Sequence, residues 1–240
     1  GSINLAEFTT PDQTFDFKDF EKTVEICIVA LNEVLEEGLP LHPLQEQRDS
    51  VRDWRQVGLG IFGLADLLIK MGIRYGSKEA IALCDNIGDC MATTAIKKSE
   101  ELGRKLGSYP KFNPRAVNNS KFLQTHLDGD VEYLRNSQLL TIAPTGSIST
   151  MLGVSGGIEP IFANYYTRKT ESLHGHDEYY KVYTPIVKEY MDKYGLKDDS
   201  ELPDFFITAQ ELDYRERIEM QGVWQCHIDA SISSTVNLQN

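Results

Sequence analysis

The chain has 240 residues, 41% hydrophobic and 25% charged, an ordinary globular composition with enough length for one substantial core. Lys and Arg number 24 against 36 Asp and Glu, a net charge of −12, which argues against a nucleic acid polymer as partner but leaves room for one small phosphate held on backbone amides. The four cysteines show no C-x-x-C spacing, and no apolar run approaches the roughly 20 residues of a membrane span, so the chain reads as cytoplasmic, with reduced thiols and no membrane contact.

"GSINLAEF" opens on strand-like alternation with no leader, as if the chain were entered in the middle. Residues 17–37 then set Phe20, Val24, Cys27, Ile28, Leu31 and Leu35 at helical spacing, with Gly38 and Pro40 as stops. Gly58, Gly60 and Gly63 form a G-x-G-x-x-G pattern, yet "RDSVRDWRQ" before them is too charged to be the buried strand that a dinucleotide site needs. The glycines are therefore expected near or within helical structure, as packing positions. Ser77 is the predicted cap of a long helix ending at about Leu106, with Ile81, Cys84, Ile87, Met91 and Ala95 buried and Gly107 as the stop. Cys84 and Cys90 lie on different faces of it and cannot bridge.

Residues 111–120 read as loop, 121–126 as a short helix and "LDGD" as a turn. Leu139 to Ala143 reads as a short apolar strand that enters a Pro-Thr-Gly-Ser turn and then a helix from about Ser147. Residues 160–170 are expected as strand and 177–195 as a surface helix. Thr208 is the expected cap of a last helix through residues 209–230, and "ISSTVNL" returns to strand composition. Strands alternating with helices predict an α/β fold, and no linker divides residues 1–240, so a single domain is expected.

The turn within "TIAPTGSIS", residues 141–149, carries the clearest chemistry. A strand running through small hydroxyl residues and glycine into a helix aims amides at one spot, where the helix dipole favours an anion. Thr145, Ser147 and Ser149 add hydroxyls; plain helix capping is the bland alternative. Glu159 beyond "GVSGG" is read as an ordinary loop carboxylate before it is read as a substrate contact. His174, His176 and Asp177 have no third well-spaced ligand and read as a surface loop, so no metal site is assigned. Cys226 and His227 are neighbours about 100° apart on a helix, so these two and Asp229 are read as structural.

Four separated segments together resemble the catalytic barrel of the ribonucleotide reductase large subunit: "GSINL", "GLGIFGLADLL", "RNSQLLTIAPTGSIST" with "GVSGGIEPIFANYYTR", and "MQGVWQCHIDASISSTVNL". They occur in the family's order from one end of the chain to the other, and their wording is most similar to the adenosylcobalamin-dependent enzymes. The resemblance implies roughly the C-terminal half of a ten-stranded α/β barrel. It implies adenosylcobalamin as cofactor of the complete enzyme, with a metal-radical small subunit as the alternative. It also implies that Pro144, Thr145, Gly146, Ser147, Ile148 and Ser149 hold the phosphates of a ribonucleoside di- or triphosphate.

The implied reaction reduces the ribose 2′ carbon by thiyl-radical chemistry and so supplies DNA precursors. The family's Asn-Pro-Cys-Gly-Glu motif has no counterpart here, and none of Cys27, Cys84, Cys90 or Cys226 matches a catalytic cysteine of the family. No catalytic residue is assigned, and the chain alone is expected to be inactive. It is expected to self-associate or to meet the missing N-terminal half of its barrel or a second chain. A non-catalytic phosphate-binding or barrel-completing module is the competing reading.

Overall fold

The computed structural model describes residues 1–171 and 177–238. Strand β1 (Ser2–Asn4) pairs in parallel with β2 (Gly60–Phe62), Ile3 opposite Ile61. The row continues through single parallel bridges, Leu59 to Leu140 and Ile142 to Ile232. Amide hydrogen bonds follow the same path: Leu59 donates to Leu139 at 2.9 Å, Thr141 to Leu59 at 3.0 Å and Ser233 to Ile142 at 2.8 Å. Ile3, Leu59, Ile61, Leu140 and Ile142 are all buried, as strands covered on both faces require. Among the described residues the row does not close on itself.

Helices supply the cover. Between β1 and β2 lie α1 (Phe17–Gly38) and α2 (Gln45–Trp54), while β2 leads through Gly63 into α3 (Leu64–Lys70) and then α4 (Lys78–Leu106). The caps are side chains: Asp16 accepts from the Asp19 amide at 3.0 Å, and Ser77 from that of Ala80 at 3.1 Å. After α4 come α5 (Pro114–Asn118), α6 (Lys121–His126), α7 (Gly146–Leu152), the hairpin strands β3 (Tyr165–Glu171) and β4 (Asp177–Tyr183), α8 (Pro185–Tyr194) and α9 (Tyr214–Cys226). Both α1 and α9 pack on α4, burying Phe20, Val24 and Ile28 with Cys84, Ile87, Met91, Met220 and Trp224.

Several sequence expectations give way here. The glycine pattern lies beside a helix, with Gly63 leading directly into α3, and not within one: Gly60 starts β2, and a Cβ on it would overlap the carbonyl oxygen of Thr141 from the neighbouring segment. Close packing is the reason for glycine, as expected, but in a strand. Residues 111–120 are not all loop, because Pro114 opens α5 and the Asn113 side chain caps it. Residues 177–183 form β4, since "DEYYKVY" pairs antiparallel along β3 from Tyr165 opposite Tyr183 to Glu171 opposite Asp177. Only α8 of the expected surface helix remains. Thr208 starts a turn closed by the Glu211 carboxylate, and the last helix begins later, capped by Asp213. Residues 139–143 and 232–238 pair only through the bridges at Leu140, Ile142 and Ile232, so neither is a continuous strand.

Candidate functional site

The turn before α7 sits where the Leu139–Ile142 segment leaves the sheet. Asp229 anchors that segment from behind, its carboxylate accepting from the amides of Leu139 at 2.9 Å and Leu140 at 2.7 Å. Pro144 follows, exposed, and Thr145 takes a left-handed conformation, φ 55° and ψ 18°, as the residue preceding the helix. Such a backbone is unusual for a β-branched residue. Here the Thr145 hydroxyl is held as well: its oxygen accepts from the Gly157 amide at 2.8 Å. Gly156 passes beneath the turn, where a Cβ would come within 3.1 Å of the Pro144 carbonyl oxygen.

Because the Thr145 side chain is committed to Gly157, no side chain caps α7. The first amides of a helix have no partner within it. Gly146, Ser147 and Ile148 are exposed, and among the described residues their amides meet no protein acceptor. The bland reading of the turn, a hydroxyl satisfying its own helix, is therefore not what the chain does. The three hydroxyls differ in what they already touch. Ser149 is buried and donates to the Gly146 carbonyl at 3.2 Å, the Ser147 hydroxyl has no protein partner among the described residues, and the Thr145 hydroxyl, which accepts from Gly157, keeps its own hydrogen to donate.

A cleft of about 570 Å³ adjoins the turn on the Ser149 and Thr150 side, with Glu159, Phe162, Tyr166 and Thr235 among its walls. Glu159 orders this region: it accepts from the Thr235 amide at 2.9 Å and lies 3.2 Å from the guanidinium of the buried Arg217. That agrees with its reading as a loop carboxylate.

Other candidates separate. His174 and His176 lie outside the described residues. Cys226 is exposed at the end of α9, whereas His227 turns inward to meet His126 and Asp229 serves the Leu139 and Leu140 amides. The His126 to His227 pairing was missed, because the two residues stand 101 positions apart with no spacing to join them. Burial pushes the Cys84 thiol up to about 12 and also raises those of Cys27 and Cys90, the reverse of what an activated nucleophile needs.

Known proteins with similar sequence and fold give a consistent picture. The family model "Ribonucleotide reductase, barrel domain" matches residues 1–240. Vitamin B12-dependent ribonucleoside-diphosphate reductases are 30% identical: that of Mycobacterium tuberculosis over 99% of this chain and 34% of its own length, and that of Thermoplasma acidophilum over 100% and 32%. The ribonucleoside-diphosphate reductase large chain of Encephalitozoon cuniculi is 26% identical over 97% of this chain and 34% of its own. The chain thus spans about a third of the length of these relatives. Among solved structures, the Actinobacillus ureae class Id ribonucleotide reductase alpha subunit shares the fold with a TM-score of 0.69 at 21% identity, covering 95% of this chain and 41% of that one.

Proposed function

The chain belongs to the ribonucleotide reductase barrel-domain family, and on that premise we propose that it supplies the substrate-phosphate face of a ribonucleotide reductase catalytic subunit. Residues 1–240 act as one unit, and Pro144, Thr145, Gly146, Ser147, Ile148 and Ser149 receive the phosphates. The observation that carries this reading is the uncapped start of α7: three exposed amides and the Ser147 hydroxyl with no protein partner among the described residues. Amides at a helix start bind anions without a basic surface, which suits a chain of net charge −12. The relatives' names favour a ribonucleoside diphosphate over a triphosphate.

Within such a subunit these residues bind and orient. The turn fixes the phosphate end, and the adjoining cleft receives the remainder of the nucleotide. Adenosylcobalamin, favoured by the B12-dependent relatives, would supply radical initiation to the complete enzyme. A small metal-radical subunit is the alternative. The cleft beside α7, about 570 Å³, is in the range of nucleotide-sized sites and does not fit a corrin macrocycle, so no step is routed through cobalamin here. Among the described residues no cysteine lines the cleft beside α7, which supports leaving the radical and redox cysteines to the rest of the subunit. The same observation favours the second reading, a non-catalytic phosphate-binding module. No helix among the described residues is long and apolar enough to cross a membrane, and we place the protein in the cytoplasm.

Calorimetric titration tests the site. A ribonucleoside diphosphate should bind the purified chain while the matching nucleoside binds much more weakly. Equal affinity for the two would overturn the phosphate role of the turn.

A further inference from the structure

We propose that Asp89, His126 and His227 form a site for one zinc-class divalent cation, separate from the nucleotide face, joining α4, the end of α6 and the residue after α9. The two imidazoles are buried, and their hydrogen bonds determine which nitrogens are available. His126 Nδ1 lies 2.7 Å from the Phe122 carbonyl oxygen, which can only accept, so this nitrogen carries a hydrogen. His227 Nε2 lies 2.8 Å from the Asp85 carboxylate and donates in the same way.

Each ring in its neutral form then has one bare nitrogen, and these two, His126 Nε2 and His227 Nδ1, face each other at 2.8 Å. Two lone pairs so placed repel unless a positive charge lies with them. A shared proton is one solution and a metal ion is the other. One ligand atom from each of Asp89, His126 and His227 lies within 4.8 Å of the other two. Zinc–nitrogen bonds of about 2.0–2.1 Å at a tetrahedral angle need the nitrogens about 3.3 Å apart, so a small opening of the pair admits the ion.

The surroundings match those of metal-bound histidines, which donate their second ring N–H to a carboxylate or a backbone carbonyl. Asp85 and the Phe122 carbonyl fill these two roles. Gly88 makes room for the ring of His227, for a Cβ there would lie 2.5 Å from its Cδ2. Two imidazoles and one carboxylate suit zinc and exclude magnesium and calcium, which require oxygen ligands. Asp89 is exposed, which leaves the fourth position to water from solvent.

The test is titration of the chelator-stripped chain with zinc chloride in competition with a chromophoric chelator. We expect one zinc per chain, with Asp89→Asn weakening it at least about tenfold and Asp85→Asn by about 10- to 100-fold, the range for removing a partner of a ligating histidine. Asp89 is exposed, so its variant should melt as the parent does when zinc is absent, and it decides the matter even if His126→Gln or His227→Gln fails to fold. Cobalt in place of zinc should give an intense tetrahedral absorption that Asp89→Asn diminishes. No stoichiometric zinc, or equal affinity in the Asp89→Asn chain, would overturn the site.

Discussion

Asp66 and Ser155, 89 positions apart, clip the start of α3 to the loop that follows α7. The Ser155 amide donates to Asp66 Oδ2 at 2.7 Å. In return Ser155 accepts from the Gly63 amide at 2.8 Å through its carbonyl and from that of Ala65 at 3.2 Å through its hydroxyl. The helix start that follows the G-x-G-x-x-G pattern is thus filled by the chain's own loop. The helix start at α7 has no such partner among the described residues, which is why we propose the anion site there.

Burial raises the Asp66 carboxyl above its ordinary value of 3.8, against the opposing hydrogen bonds from Ser155. Folded Asp66 therefore holds its proton more tightly than unfolded Asp66. The stability this contributes is complete below pH 3.8 and is lost as pH rises through the higher folded value. Asp66→Asn does not titrate, and its side-chain oxygen still accepts from Ser155. Urea unfolding across a pH series should show the variant gaining on the parent as pH rises from about 4 to 7. A pH-independent difference would count against this account.

Ser147→Asp separates fold from ligand. A carboxylate in the first turn of α7 meets the positive end of the helix dipole, so the chain should keep its stability or gain about 0.3–1 kcal/mol. The same charge repels a phosphate at the open amides. Diphosphate affinity should fall at least about tenfold, or about 1.4 kcal/mol. Unchanged affinity in this variant would remove the turn from the nucleotide site.

Asp229→Ala takes away the acceptor of the Leu139 and Leu140 amides. Each buried N–H left without a partner costs about 1–3 kcal/mol, so a loss of about 2–6 kcal/mol in denaturant unfolding is expected for the two. Asp229→Asn keeps one acceptor oxygen and should lose less.

Ribonucleotide incubated with the purified chain and a radical generator should yield no deoxyribonucleotide, because among the described residues no cysteine lines the cleft beside α7 in which the nucleotide is proposed to sit. Measurable product by chromatography would refute the division of labour proposed here.

Among the described residues the parallel row ends at β1 on one side and at Ile232 on the other, and Met151, Leu152 and Phe162 stand exposed beside the candidate cleft. Unpaired edges and apolar patches of this kind recruit a further chain. Sedimentation should show association that strengthens with concentration, and a stable monomer at high concentration would speak against it.

Helix α4 was legible because its signals are local: the Ser77 cap, the buried face through Cys84, Ile87 and Met91, and the Gly107 stop act within a few turns. The same holds for α1 and for the helix start at the Pro-Thr-Gly-Ser turn. Four ordered segments also carried the family, which the match over residues 1–240 bears out.

What tertiary structure decided involves partners far apart in the chain. "DEYYKVY" fits a strand as well as a helix until β3 pairs with it. Gly60 gives no local sign that the Thr141 carbonyl occupies the space of its missing Cβ. Whether Thr145 caps its own helix depends on Gly157 arriving to take its hydroxyl. Residue types and short spacings determine propensity, capping and family, because those depend on neighbours along the chain. Which helix start stays uncapped, and which histidines meet, depends on contacts that exist only once the chain has folded.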